Sequence, residues 1–91
     1  METKSALEQL VGREVVVDVA AQYIYLGTLA GADEKYLVLE QADVHDLRDT
    51  NTTRELYVVD SRRLGIRKNR ERVLVRLEET VSISALADVI V

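Results

Sequence analysis

The sequence predicts a mainly β domain in which a short N-terminal helix precedes a series of strands, one of them long and glycine-bent as a small barrel requires. An extended loop or hairpin is expected between the third and fourth strands. Two observations carry this. Hydrophobic residues make up 47% of the 91 positions while aromatics are only 4%, so the apolar content rests on Val, Leu, Ile and Ala, a β-branched bias that suits strands. Apolar residues also recur with a period of two in several short runs, of which Val15, Val17 and Val19 are the plainest.

The length allows one domain, residues 1–91, with a single core. With no cysteine, stability has to come from packing and from association with other copies. The start, Met1-Glu2-Thr3-Lys4, lacks a charged region leading into an apolar run, and no apolar stretch approaches the roughly 18 residues of a membrane span. A cytoplasmic, membrane-free protein is expected. The net charge of −4 argues against a generic nucleic-acid binder, yet charge is segregated. Arg62, Arg63, Arg67, Lys68, Arg70, Arg72 and Arg76 fall in one stretch whose only acid is Glu71.

Taken in order, Thr3 to Val11 reads as a short helix, with Ser5 and Glu8 at capping-box spacing, an apolar face of Leu7, Leu10 and Val11, and Gly12 beyond its end. So short a helix must lie on a sheet to persist. Glu14 to Ala20 alternates as a strand. Gln22 to Ala32 is a longer strand with both faces apolar or small, and Gly27 and Gly31 inside it mark a sharp bend or a close backbone approach. Asp33-Glu34-Lys35 is a turn, and Tyr36 to His45 a third strand. Asp46 to Arg54 has loop composition, and Glu55 to Asp60 reads as a further strand. Arg70 to Leu77 alternates again, Glu78-Glu79 turns the chain, and Thr80 to Ser84 closes the sheet.

This order, with Tyr25-Leu26-Gly27-Thr28-Leu29-Ala30-Gly31-Ala32-Asp33, then Leu37-Val38-Leu39, and later Val73-Leu74-Val75-Arg76 before Val81-Ser82-Ile83, resembles the Sm and Sm-like (LSm) family. The resemblance covers residues 5–45 and 70–86 and implies a five-stranded, SH3-like barrel. It implies that Asp33 is the loop Asp, that Tyr36 lies about where the base-contacting Asn is expected, and that Arg76 is the turn Arg. Tyr36 for Asn, with the loop spacing one residue short, and Leu77 for the Gly after Arg76 imply an altered base preference. By the same resemblance the chain forms a ring, with the fourth strand of one subunit pairing with the fifth of the next, and binds single-stranded RNA at the pore.

The ring also has a physical rationale, since an incomplete barrel leaves two edges with unpaired backbone groups. Thr80 to Ser84 carries neither Lys nor Pro to block strand addition. For each candidate residue a plainer role stands beside the functional one. Asp33, Tyr36 and Arg76 form a nucleotide pocket, or Asp33 caps its turn, Tyr36 is half-buried and Arg76 pairs with Glu78 or Glu79. The candidate phosphate contacts Arg62, Arg63, Arg67, Lys68, Arg70 and Arg72 track a backbone, or are a solvated hairpin pairing with acids of a neighbour. Asp43 and His45, with Glu40, invite a metal reading because residues two apart on a strand share a face. They have no fourth ligand or known metal spacing, and the plainer role for His45 is a surface residue at a strand end. No cofactor is expected. Tyr23 and Tyr25 read as packing or interface residues. No nucleophile, paired carboxylate across a cleft or glycine-rich phosphate loop is visible, so catalysis is not expected. The alternative to RNA binding is a structural or scaffolding ring that acts through protein contacts.

Overall fold

The computed structural model describes residues 4–91. It contains β1 (Glu14–Val19), β2 (Tyr23–Ala32), β3 (Tyr36–Asp46), α1 (Arg54–Leu64), β4 (Arg70–Arg76) and β5 (Thr80–Ala85). Short 3-10 turns lie at Glu8–Leu10, Leu47–Asp49, Leu77–Glu79 and Leu86–Asp88. The five strands form one antiparallel sheet in the order β4-β3-β2-β1-β5. The sheet is not closed, so β4 and β5 are its edges.

Alternation along β1 explains why the core has two parts. Val15, Val17 and Val19 enter a cluster with Leu29, Leu37, Leu39, Ala42 and Val75, which defines the inner face. Val16 points the other way, into a second cluster with Ile24, Leu26, Tyr57 and Leu86. Each fully buried Leu contributes about 1.5–3 kcal/mol relative to exposure. The outer cluster exists because α1 and the turn after β5 cover a sheet face that would otherwise meet water.

The bend is built where β2 and β3 shift register. The pairing skips between Leu26↔Asp43 and Thr28↔Glu40, and Gln41 opposite takes a positive φ of 49°. A Cβ on Gly27 would lie 3.0 Å from Ala42 Cβ and 3.1 Å from the Glu40 carbonyl, so the strands approach there as closely as a glycine permits. The extra residue also shifts the alternation of β3, so that Leu37 and Leu39 before Gln41 and Ala42 after it all enter the inner cluster. Gly31 behaves differently. It sits at a second register shift, but nothing lies within 4 Å of where its Cβ would be, so no close approach requires it.

Two expectations need correction. The N-terminal helix over Thr3 to Val11, whose first residue lies outside the described residues, is reduced to the 3-10 turn Glu8–Leu10. The capping box does form, with the Glu8 amide donating to Ser5 Oγ at 3.1 Å and the Ser5 amide to Glu8 Oε1 at 3.3 Å. The chain then leaves the helix at once, because Val11 is extended and the Gly12 amide donates to the Leu29 carbonyl at 2.7 Å. Leu7 and Leu10 still pack on the inner core.

The second correction concerns residues 46–69. Glu55 to Asp60 is no strand, and the connection between β3 and β4 is no extended loop or hairpin, because it contains α1. Thr53 caps the helix by accepting from the Leu56 amide at 3.2 Å. Gly65, at φ 95°, ends it by donating to the Ser61 carbonyl at 2.9 Å. Arg62 and Arg63 in the last turn suit the helix dipole. Tertiary packing decides the matter: the helix buries Tyr57 and Ser61, one turn apart, and turns Asp60 between them outward.

Candidate nucleic-acid interface

Asp33 opens the turn between β2 and β3. Its Oδ1 accepts from the amides of both Lys35 and Tyr36 at 2.8 Å, and its own amide donates to the Tyr36 carbonyl at 3.0 Å. Those amides hold the Asp33 carboxyl below its ordinary range, the Lys35 amide first. The capping role weighed for Asp33 is therefore what its side chain does.

The turn brings Tyr36 to the start of β3, directly opposite Arg76 at the end of β4. The Leu77 amide donates to the Lys35 carbonyl at 2.8 Å and ties the two connections together. Tyr36 is half-buried and Arg76 exposed. A recess of about 360 Å³ opens here, lined by Glu34, Lys35, Tyr36, Arg76, Leu77 and Glu78. Another of about 340 Å³ adjoins it, lined by Asp33 through Tyr36. The Arg76 guanidinium forms an ion pair with Glu78, both side chains being mostly exposed. Such a pair contributes little to stability and is readily exchanged.

The basic stretch lies elsewhere. Arg62 and Arg63 are in the last turn of α1, Arg67 and Lys68 in the connection that follows, and Arg70 and Arg72 on β4. All six are exposed. Arg72 pairs with Glu40 at 3.4 Å, and Arg70 Nη1 donates to the Asn69 carbonyl at 3.0 Å. Arg70 and Arg76 mark the two ends of β4, roughly 20 Å apart at a strand's rise per residue. The block and the Tyr36–Arg76 recess are thus at opposite ends of one strand.

Asp43, His45 and Glu40 do not converge. Asp43, 2% exposed, accepts from the Tyr57 hydroxyl and from Asn69 Nδ2 at 3.2 Å. His45 lies flat against the Tyr57 ring, centroids 3.8 Å apart and planes 5° apart, with Nε2 3.3 Å from Thr50 Oγ1. Asn69 also bonds both ways with the Val44 backbone, at 2.9 and 3.0 Å. Burial, then the bond to Asp43, pushes the Tyr57 hydroxyl well above its ordinary range. This network fastens α1 and the start of β4 to β3. Reading the sequence did not find it, because its members come together only once α1 is folded. The signal present was the pair of helix ends, Thr53 and Gly65.

Tyr23 and Tyr25 stack with centroids 6.4 Å apart and pack against the inner core. The Arg48 guanidinium lies 5.9 Å above the Tyr23 ring and is gripped by Asp46 through Nε at 2.9 Å and Nη2 at 2.7 Å. That grip holds the Asp46 carboxyl down to about 2.

No family model and no curated protein matches the sequence. Among solved structures, the chain is similar to the Sm protein of Pyrococcus abyssii, solved in complex with a uridine heptamer. The two are 17% identical, with a TM-score of 0.59 over 90% of this chain and 99% of that one. The chain therefore has the Sm-like fold, with an α-helix set between its third and fourth strands.

Proposed function

We propose that this chain is the subunit of a homo-oligomeric ring that binds single-stranded RNA at its pore through Asp33, Tyr36 and Arg76. The observation that carries the reading is the pairing of Tyr36 with Arg76 across β3 and β4, beside a turn that Asp33 holds rigid. An aromatic ring and a guanidinium at one recess can stack a base and contact its edge or phosphate, with stacking worth about 1–3 kcal/mol per base. The likeness to an Sm protein that holds uridines supports the choice of ligand. Tyr36 and Leu77 stand where the family resemblance leads one to expect Asn and Gly, so the base preference is altered. Arg62, Arg63, Arg67 and Lys68 then contact phosphates of the strand beyond the pore, while Arg70 and Arg72, on the β4 edge, contact phosphates or pair with acids of a neighbouring subunit. Binding rather than catalysis, in the cytoplasm, is the role.

The ring is supported by the two free edges. Leu74 on β4 is 53% exposed and Val81 on β5 is 71% exposed, an apolar residue on each unpaired margin. A scaffolding ring without RNA is the second reading, and a specific observation favours it: Asp33 and Arg76 already have partners within the chain.

Titration of a labelled uridine oligomer against the purified protein over a salt series decides between them. RNA binding predicts an affinity that falls steeply with salt and drops at least about tenfold, some 1.4 kcal/mol, in Arg76→Ala. An intact oligomer, verified by light scattering, that binds no RNA at low salt refutes the RNA reading and leaves the scaffold.

A further inference from the structure

The recess beside Tyr36 has a larger counterpart elsewhere in the fold. A groove of about 560 Å³ runs on the outer face of the sheet between α1 and β5. Val58 and Val59 form its helical wall, Val16, Ser82 and Ser84 its floor, and Ile90 its far end. Ile90 is 92% exposed and Val81, on its β5 margin, 71%. A mostly apolar trough of this kind on a small domain marks a contact surface.

Its place in the fold indicates what fills it. Part of the floor is the unpaired edge strand β5, so whatever completes that edge also overhangs the groove. Glu55 stands on the α1 lip and has no ion-pair partner among the described residues. The other free edge, β4, presents the complementary chemistry: Arg70, Arg72 and Arg76 against the single acid Glu71, with Leu74 half-exposed among them. Arg70 likewise has no carboxylate partner among the described residues.

We propose that the groove between α1 and β5 receives side chains from the β4 edge of a second copy of this chain, which makes α1 a wall of the subunit interface. This rests on the ring proposed above and adds a contact to it. Strand pairing joins the backbones, and the groove buries apolar side chains and sets Glu55 against the neighbour's arginines. Helix α1 then has two tasks, covering Val16, Ile24 and Leu26 on its own sheet and gripping the next subunit.

The test is sedimentation velocity of the full chain over a concentration series, with Val59→Glu and Ile90→Glu compared with the unaltered protein. Both residues line the groove, and neither belongs to the packed clusters, so circular dichroism should show the fold retained. Each variant is expected to weaken self-association at least about tenfold and shift the population toward monomer. If Val59→Glu disturbs the helix, Ile90→Glu, in an exposed position, decides alone. Folded variants that assemble as the unaltered protein does overturn the groove contact and leave ring formation by edge pairing standing. An unaltered protein that stays monomeric at every concentration overturns both.

Discussion

Replacing Tyr57 by Phe isolates the bond that fastens α1 to β3. The substitution keeps the ring, and with it the flat stack on His45, while deleting the hydroxyl that donates to Asp43. Asp43, 2% exposed, then retains only Asn69 Nδ2, at 3.2 Å, as a side-chain donor. A hydrogen bond to a carboxylate is worth about 1.5–3 kcal/mol, and the orphaned acceptor in a buried site puts the loss toward the middle of that range, about 2 kcal/mol. For a domain of this size such a loss lowers Tm by about 8–16 °C. Thermal unfolding followed by circular dichroism, at one fixed protomer concentration so that assembly does not shift the midpoint, measures it. A cycle with Asp43→Asn should show coupling, because both changes act on one bond. His45→Ala, which removes the stack and leaves the bond, should cost less, about 0.5–1.5 kcal/mol. A Tyr57→Phe midpoint within 2 °C or so of the unaltered protein would refute the claim that this bond anchors the helix.

Two further outcomes follow from the geometry. Gly27→Ala forces a Cβ to 3.0 Å from Ala42 Cβ and should destabilise by about 1–3 kcal/mol, with Ala42→Gly in the same chain recovering part of the loss in urea unfolding. The folded-state pKa of Asp46 is depressed to about 2 by Arg48. Its contribution is therefore fully present above the ordinary carboxylate range and is lost as pH falls through that range toward 2. Asp46→Asn should consequently show a shallower loss of Tm between pH 5 and 2, whereas equal slopes in the two proteins would contradict the assignment.

The strands were legible because each announces itself within a few residues. Val15, Val17 and Val19 share a face by simple alternation, and Tyr36 to His45 and Arg70 to Leu77 lie within a residue of the observed strands. The bend at Gly27 was legible too, since a glycine inside a strand has few other uses. Helix α1 was not. Tyr57-Val58-Val59 has strand composition, and what outweighs it is the outer sheet face of Ile24 and Leu26, more than 30 residues earlier in the chain, which needs a cover. Among the candidate site residues, Tyr36 and Arg76 were singled out by their correspondence to the family's motifs and do lie opposite one another. The arginine block was singled out by composition, which carries no information on where a stretch lies in space, and it lies at the other end of β4 from Arg76. The Asp43, Tyr57 and Asn69 network joins residues 14 and 26 apart, beyond the reach of any local pattern.

The double-sided burial of β1 has a consequence for how the chain avoids misalignment. In the run Val15-Val16-Val17-Asp18-Val19, four valines suit either surface of the sheet, so apolarity alone would tolerate a slip of one position. Asp18 is what forbids it. In the native alignment its carboxylate meets Arg54 at 3.2 Å and Ser82 Oγ at 3.1 Å, and a displaced strand would bury that charge among hydrocarbon side chains, with no counter-ion. One acid thus discriminates between two otherwise near-equivalent threadings, and a valine in its place would yield a chain that folds readily but no longer to a single partner arrangement.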